Sequence, residues 1–163
     1  MSFTVNLFLK ANGVDIEGES TEMSLGREDS IECLYYTDSV QTVVAATTGR
    51  VRGRREYDPI VFRKRIDKST PLLFKALCNN EVIEGTFKFF RPNPTGDGTT
   101  EHFFTVEIAE GRVSSIRRIS PDILDPAAAN RPMEEEVSIS FASVIVRYEN
   151  GGAEYRDQLR AVR

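Results

Sequence analysis

The sequence predicts a mainly β protein, a barrel or sandwich of antiparallel strands with one α-helix packed on its side. Apolar residues recur with a period of two along most of the chain, which is typical of half-buried strands and not of amphipathic helices. One segment near residue 70 combines capping residues, a proline and a compact apolar run, as a helix requires. The chain has 163 residues, so we expect one domain that spans residues 1–163.

The first half of the chain contains three alternating segments. Residues 3–10 alternate up to the turn signal Asn12-Gly13, and Ile31–Tyr36 forms a second strand. In the third segment, residues 58–67, one face is largely apolar and the other is strongly basic. The intervening residues 37–57 are predicted to be a long loop, and loops of that length are usually functional or disordered.

The helix is predicted to follow Asp67. Ser69 or Thr70 supplies the cap, Pro71 occupies the first turn, and Asn79-Asn80 ends the helix. Strands are then expected over residues 82–91 and 101–109, paired antiparallel across a tip of turn-forming residues.

The last third of the chain is predicted to contain two more strands. A short strand at residues 112–119 follows a tight turn at Glu110-Gly111, and the longest strand runs from Val137 to Ile145. Between them, residues 120–135 carry three prolines and are predicted to be a second long loop.

No residue pattern indicates catalysis, a metal site or a cofactor. His102 is the only histidine, and it falls in a predicted strand with no nucleophile motif near it. Cys33 and Cys78 fit packing positions, and the run Glu134–Glu136 is expected to be solvated. We therefore expect a protein that is not an enzyme and has no catalytic, metal or cofactor residues.

Charge is distributed unevenly along the chain. The net charge is −4, but residues 1–49 contribute −6 and residues 50–68 contribute +5. Arg50, Arg52, Arg54 and Arg55 lie in the first long loop, and an acidic chain without interleaved aromatic residues disfavours nucleic acid as their partner. A solvated loop is one explanation; complementary surfaces that join identical subunits head to tail are another.

The chain also lacks the usual sequence signals of membrane insertion and of secretion through a signal peptide. No stretch approaches the roughly 20 apolar residues of a membrane-spanning helix. The residues after Met1 do not have the basic and apolar regions of a signal peptide. The two cysteines form no disulfide framework, so we expect synthesis in a reducing compartment, the bacterial cytoplasm.

Five segments occur in the order and spacing of one known family: Leu7–Lys10, Gly18–Ser20, Arg65–Leu72, Val113–Ile116 and Glu135–Val144. The most specific is the strand-to-helix junction with the sequence Asp-Lys-Ser-Thr-Pro. Together they resemble the Hcp (haemolysin-coregulated protein) tube proteins of bacterial type VI secretion. The chain departs from that family in having no tryptophan near its C-terminus.

The resemblance implies a small β-barrel with a flanking helix, similar to phage tail-tube proteins. Six copies would form a ring, and stacked rings would form an inner tube that sheath contraction expels and that can carry effectors. The implied partners are further copies of the chain, a VgrG-like spike, the contractile sheath and effector proteins. Export through the type VI system needs no signal peptide.

The resemblance also implies roles for individual residues. The long loop reaches the neighbouring ring, so Arg50, Arg52, Arg54 and Arg55 are predicted to be stacking contacts. Thr37 is predicted to face the lumen. Two other interpretations stay open: the tube protein of a related contractile injector, and a monomeric β-barrel that binds a ligand through its arginine-rich loop.

Overall fold

The computed structural model of the chain describes residues 3–44 and 47–159, with side chains for all of these except residues 51–54. Within these residues there are eleven β-strands and one α-helix. In chain order they are β1 Thr4–Ala11, β2 Val14–Ile16, β3 Ile31–Thr37, β4 Val40–Val44, β5 Val51–Tyr57, β6 Ile60–Arg65, α1 Ser69–Cys78, β7 Ile83–Pro92, β8 Thr100–Ile119, β9 Glu134–Ser140, β10 Ser143–Tyr148 and β11 Ala153–Gln158.

Six antiparallel strands close into a ring, which confirms the predicted mainly β fold with one helix. The hydrogen-bonded order is β8-β7-β1-β3-β6-β9, and β9 pairs again with β8. β8 closes the ring because its first half pairs with β7 and β10, whereas its second half pairs with β9. β10 and β11 extend the sheet beyond this ring, and β2 forms a hairpin with β1 across the predicted Asn12-Gly13 turn.

The apolar faces of these strands form one core. Phe62 and Phe87 are fully buried and meet edge to face, with ring centroids 5.7 Å apart. From α1, Leu73 and Ala76 reach the same cluster and are also fully buried. Apolar packing therefore holds the helix against the closed ring of strands, in agreement with the predicted helix on the side of the β-structure.

Asp67 caps the helix, whereas Ser69 or Thr70 was expected to do so. The Asp67 carboxylate accepts a hydrogen bond from the Ser69 amide at 2.9 Å and one from the Ser69 hydroxyl. In return, the Thr70 hydroxyl oxygen accepts from the Asp67 amide at 3.1 Å. This reciprocal pattern is that of a capping box, with Thr70 in the place of the usual glutamate or glutamine.

The structure adds the strands β2 and β11, which the sequence did not predict, and differs from the predicted elements at three further places. Residues 37–57 are not an irregular loop, because β4 and β5 pair there as a two-stranded ribbon. Glu110-Gly111 does not turn the chain: both residues lie inside the continuous strand β8, where Glu110 has a φ of 52°. The predicted strand Val137–Ile145 is divided into β9 and β10 at Phe141-Ala142.

Candidate functional site

The β4–β5 ribbon takes no part in the closed ring of six strands. Val40 lies opposite Tyr57, Thr42 opposite Arg55 and Val44 opposite Val51. The ribbon is a sheet of its own, and within the described residues neither of its strands pairs with the main sheet. A two-stranded ribbon is only marginally stable alone, so its position depends on contacts at its base.

Four arginines that the sequence predicted as stacking contacts belong to this ribbon. Arg50 is exposed in the turn segment before β5, where its amide donates to the Thr48 hydroxyl at 3.4 Å. Arg52 and Arg54 are residues of β5, but their side chains lie outside the described ones. Arg55 is exposed too, yet its guanidinium is paired inside the subunit.

The partner of Arg55 is Asp157 on β11, which lies 102 residues later in the chain. Arg55 Nε and Nη2 donate to the two oxygens of this carboxylate, each at 2.5 Å. Nη2 also donates to the Gln158 carbonyl at 3.2 Å. The Tyr57 hydroxyl donates to the same carboxylate at 2.5 Å. The Arg55 hydrogen bond holds the pKa of Asp157 below its ordinary value of 3.8, so this carboxylate is ionised at neutral pH.

Thr37, the predicted lumen residue, is the exposed last residue of β3 and lies opposite Val61. The preceding Tyr36 is partly buried in the core and donates its hydroxyl to the Asp38 carboxylate at 2.5 Å. Burial raises the pKa of Tyr36, so this hydroxyl keeps its proton. The lumen assignment of Thr37 stays a prediction.

A buried charged cluster, which sequence reasoning missed, joins two of the family-like segments. Lys64 on β6 is 1% exposed, and its Nζ lies 2.9 Å from Asp67 Oδ1 and 3.0 Å from Glu135 Oε1. Nζ also donates to the Arg65 carbonyl and the Thr70 hydroxyl, at 2.9 and 3.1 Å. The available signal was a lysine on the apolar face of an alternating strand, since a lysine there needs a partner.

The run Glu134–Glu136 was expected to be solvated, and this prediction is wrong for Glu135. Its side chain is fully buried, and Arg118 Nε lies 3.7 Å from its second oxygen. Among residues 3–44 and 47–159, neither oxygen has a hydrogen-bond partner, and the contact with Lys64 at 3.0 Å is an ion pair. Ion pairing with Lys64 and Arg118 therefore compensates the buried charge of Glu135.

The other residues considered for chemistry have structural contacts. His102 Nε2 lies 2.7 Å from the Thr105 hydroxyl, and burial lowers the pKa of this imidazole. Cys33 is buried in the core, where burial raises the pKa of its thiol, and Cys78 is exposed at the end of α1. Over residues 3–44 and 47–159, no three His, Cys, Asp or Glu side chains cluster closely enough to hold a metal ion. The helix in this part of the chain is too short to cross a membrane.

Comparison with known proteins identifies a family whose sequence pattern the chain matches. Residues 8–148 match the family described as type VI secretion system effector, Hcp. The chain is 25% identical over 156 residues to the Major exported protein of Pseudomonas aeruginosa, which covers 91% of the chain and 90% of that protein.

Solved structures of Hcp proteins have the same fold. A crystal structure of an Hcp protein has a TM-score of 0.86 at 25% identity, over 98% of this chain and 99% of that one. A mutant of Hcp1 from the E. coli EAEC 042 pathovar has a TM-score of 0.84 at 23% identity, over 97% of this chain and 99% of that one.

Proposed function

Because the chain belongs to the Hcp family of type VI secretion system effectors, we propose that it is the structural subunit of the secretion tube. Six copies form a ring, rings stack into the tube, and sheath contraction expels it with effectors in its lumen. The partners are other copies of the chain, a VgrG-like spike, the sheath and the effectors. The subunit does no chemistry of its own, and export from the bacterial cytoplasm uses no signal peptide.

The observation that carries this proposal is the β4–β5 ribbon. It stands apart from the main sheet, and Val40 and Val44 on it are each about half exposed. A ribbon that contributes nothing to barrel closure yet exposes apolar side chains is suited to contact another subunit. This favours a tube subunit over a monomeric binding barrel, because a monomer would leave these apolar side chains in water.

Charge supports a head-to-tail contact between rings. The ribbon's turn and second strand carry the arginines at positions 50, 52, 54 and 55, whereas the segment between β1 and β3 exposes carboxylates. Glu28 and Asp29 on that segment are exposed, and no side-chain ion pair involves them within the described residues. Stacking places the basic end of one subunit's ribbon against an acidic surface of the next ring.

The tube proposal is tested by negative-stain electron microscopy of the purified chain, together with a solution mass. We expect six-fold rings with an open centre and a mass of six subunits. A monomer over a wide concentration range would instead favour the binding barrel with its arginine-rich ribbon.

Stacking is tested by Arg50→Glu against the matched control Arg131→Glu. Both arginines are exposed, and neither forms an ion pair within the described residues, so each variant changes the surface charge equally. We expect Arg50→Glu to shorten or abolish tubes and leave single rings intact, with no effect of Arg131→Glu. Equal tube lengths for the two variants would exclude the ribbon's turn as a stacking contact.

A further inference from the structure

Two side chains of the ribbon converge on one carboxylate of the main sheet, that of Asp157. Arg55 and Tyr57 are two residues apart on β5, so their side chains leave the same face of the ribbon. Both donate to Asp157, giving three hydrogen bonds of 2.5 Å from the ribbon to one carboxylate. Asp157 itself is held in the sheet by β11, where it lies opposite Val144 of β10.

The geometry of this contact restricts direction as well as distance. A guanidinium that donates to both oxygens of a carboxylate is held in the carboxylate plane, unlike a lysine ammonium. The ring of Tyr57 packs edge to face on Phe141, with centroids 5.5 Å apart, which fixes a second point of the same strand. Two anchored side chains on one face leave little freedom for the ribbon to tilt about its base.

The two charged partners, Arg55 and Asp157, differ in how far their side chains are buried. The Asp157 side chain is 14% exposed, whereas the Arg55 side chain is 46% exposed. The carboxylate is therefore the more deeply buried of the two partners. Arg55 has its donors directed into its own subunit, whereas Arg50 in the turn has no ion-pair partner among the residues that the structure describes.

We infer that Arg55, Tyr57 and Asp157 form a positioning clamp that sets the angle at which the β4–β5 ribbon leaves the barrel. This inference rests on the proposed function, in which the ribbon reaches the next ring. Arg55 then acts on stacking through the ribbon's orientation and not by touching the neighbouring ring. Asp157, on a strand far from the ribbon's turn, becomes a determinant of the same contact.

The clamp is tested first in the full-length protein by hydrogen–deuterium exchange of the backbone amides in residues 40–57. Asp157→Asn removes the charge, and the matched control is Glu154→Gln on the same strand, whose carboxylate pairs with Arg147 at 3.2 Å. We expect Asp157→Asn to speed exchange in the ribbon by about tenfold or more, with no change there in Glu154→Gln. Equal ribbon exchange in the two variants would overturn the inference.

Two further variants separate a positioning role from general destabilisation. Arg55→Lys keeps the charge but loses the two-pronged geometry, so ribbon exchange is expected between wild type and Asp157→Asn. The exchanged pair Arg55→Asp with Asp157→Arg restores opposite charges, and we expect it to recover part of the ribbon's protection relative to either single change. Absence of any recovery would show that the pair does not hold the ribbon.

Tube length, measured on the same variants, distinguishes failure of the clamp from failure of the proposed function. If Asp157→Asn speeds ribbon exchange and also shortens tubes, clamp and stacking are linked as inferred. If ribbon exchange rises and tubes are unchanged, the clamp stands as a structural contact, but its role in stacking is refuted. If wild-type protein forms no rings, the tube function is refuted, whereas the exchange result still decides the clamp.

Discussion

Replacing Lys64 by methionine should be one of the most damaging single changes that keep side-chain volume. The change removes the cation nearest to Glu135, which is fully buried and has no hydrogen-bond partner in the described part of the chain. The next cation, Arg118, is 3.7 Å from Glu135. Leaving a buried charge in this state costs about 3–5 kcal/mol of unfolding free energy.

The converse change, Glu135→Leu, should cost less because Lys64 Nζ keeps three partners: Asp67 Oδ1, the Arg65 carbonyl and the Thr70 hydroxyl. We expect a loss of about 1–2 kcal/mol. Combining Lys64→Met with Glu135→Leu removes both charges, so the double variant should be more stable than Lys64→Met alone by about 2 kcal/mol.

Urea unfolding followed by circular dichroism at pH 7 measures these free energies. One protein concentration must serve all variants, since subunit association would add its own stabilisation. The reasoning is refuted if Lys64→Met lies within about 1 kcal/mol of wild type, or if the two single losses simply add in the double variant.

Gly18→Ala should destabilise the fold by about 1–3 kcal/mol, because its Cβ would lie 2.5 Å from the Ser30 carbonyl oxygen; Gly85→Ala, with contacts of 3.4 Å or more, is the matched control for urea unfolding. In thiol titration, the folded protein should react at exposed Cys78 only, and rapid reaction of two thiols would contradict the burial of Cys33. The lowered pKa of Asp157 makes its hold on the ribbon complete above pH 3.8 and lost as pH falls through the folded value. Ribbon exchange in wild type and Asp157→Asn should therefore converge only in acid, and convergence already near about pH 6 would contradict the assignment.

Alternation predicted most strands correctly because each has one face in the core. β1, β3, β6 and β7 place Leu7, Ile31, Phe62 and Phe87 in the fully buried cluster. Each of these residues belongs to a strand in which apolar residues alternate with polar ones. β11 was missed because five of its six side chains are exposed, so its pairing with β10 depends on backbone hydrogen bonds that leave no apolar pattern. β2, with three residues, is too short to show a period.

Gly111 shows why a local signal can mislead. Because glycine is common in turns, Glu110-Gly111 was predicted to be a turn. In the structure Gly111 lies within β8, where the absence of a side chain lets the neighbouring strands approach closely. A Cβ at Gly111 would lie 3.1 Å from the carbonyl oxygens of both Ile83 and Ser140. The continuous strand pairs with β7 on one edge and with β9 on the other, a requirement of ring closure that no short window of sequence contains.

The fold class, the position of the helix and the family resemblance could be predicted from the sequence, because they depend on side-chain period and on short motifs. Which charges are buried, and which arginines have an ion-pair partner among the described residues, depends instead on how the strands come together. Lys64 meets Glu135, and Arg55 meets Asp157, across separations of 71 and 102 residues. Such pairs form when ring closure brings distant strands together, so the environment of a charged side chain depends on neighbours that its own segment does not encode.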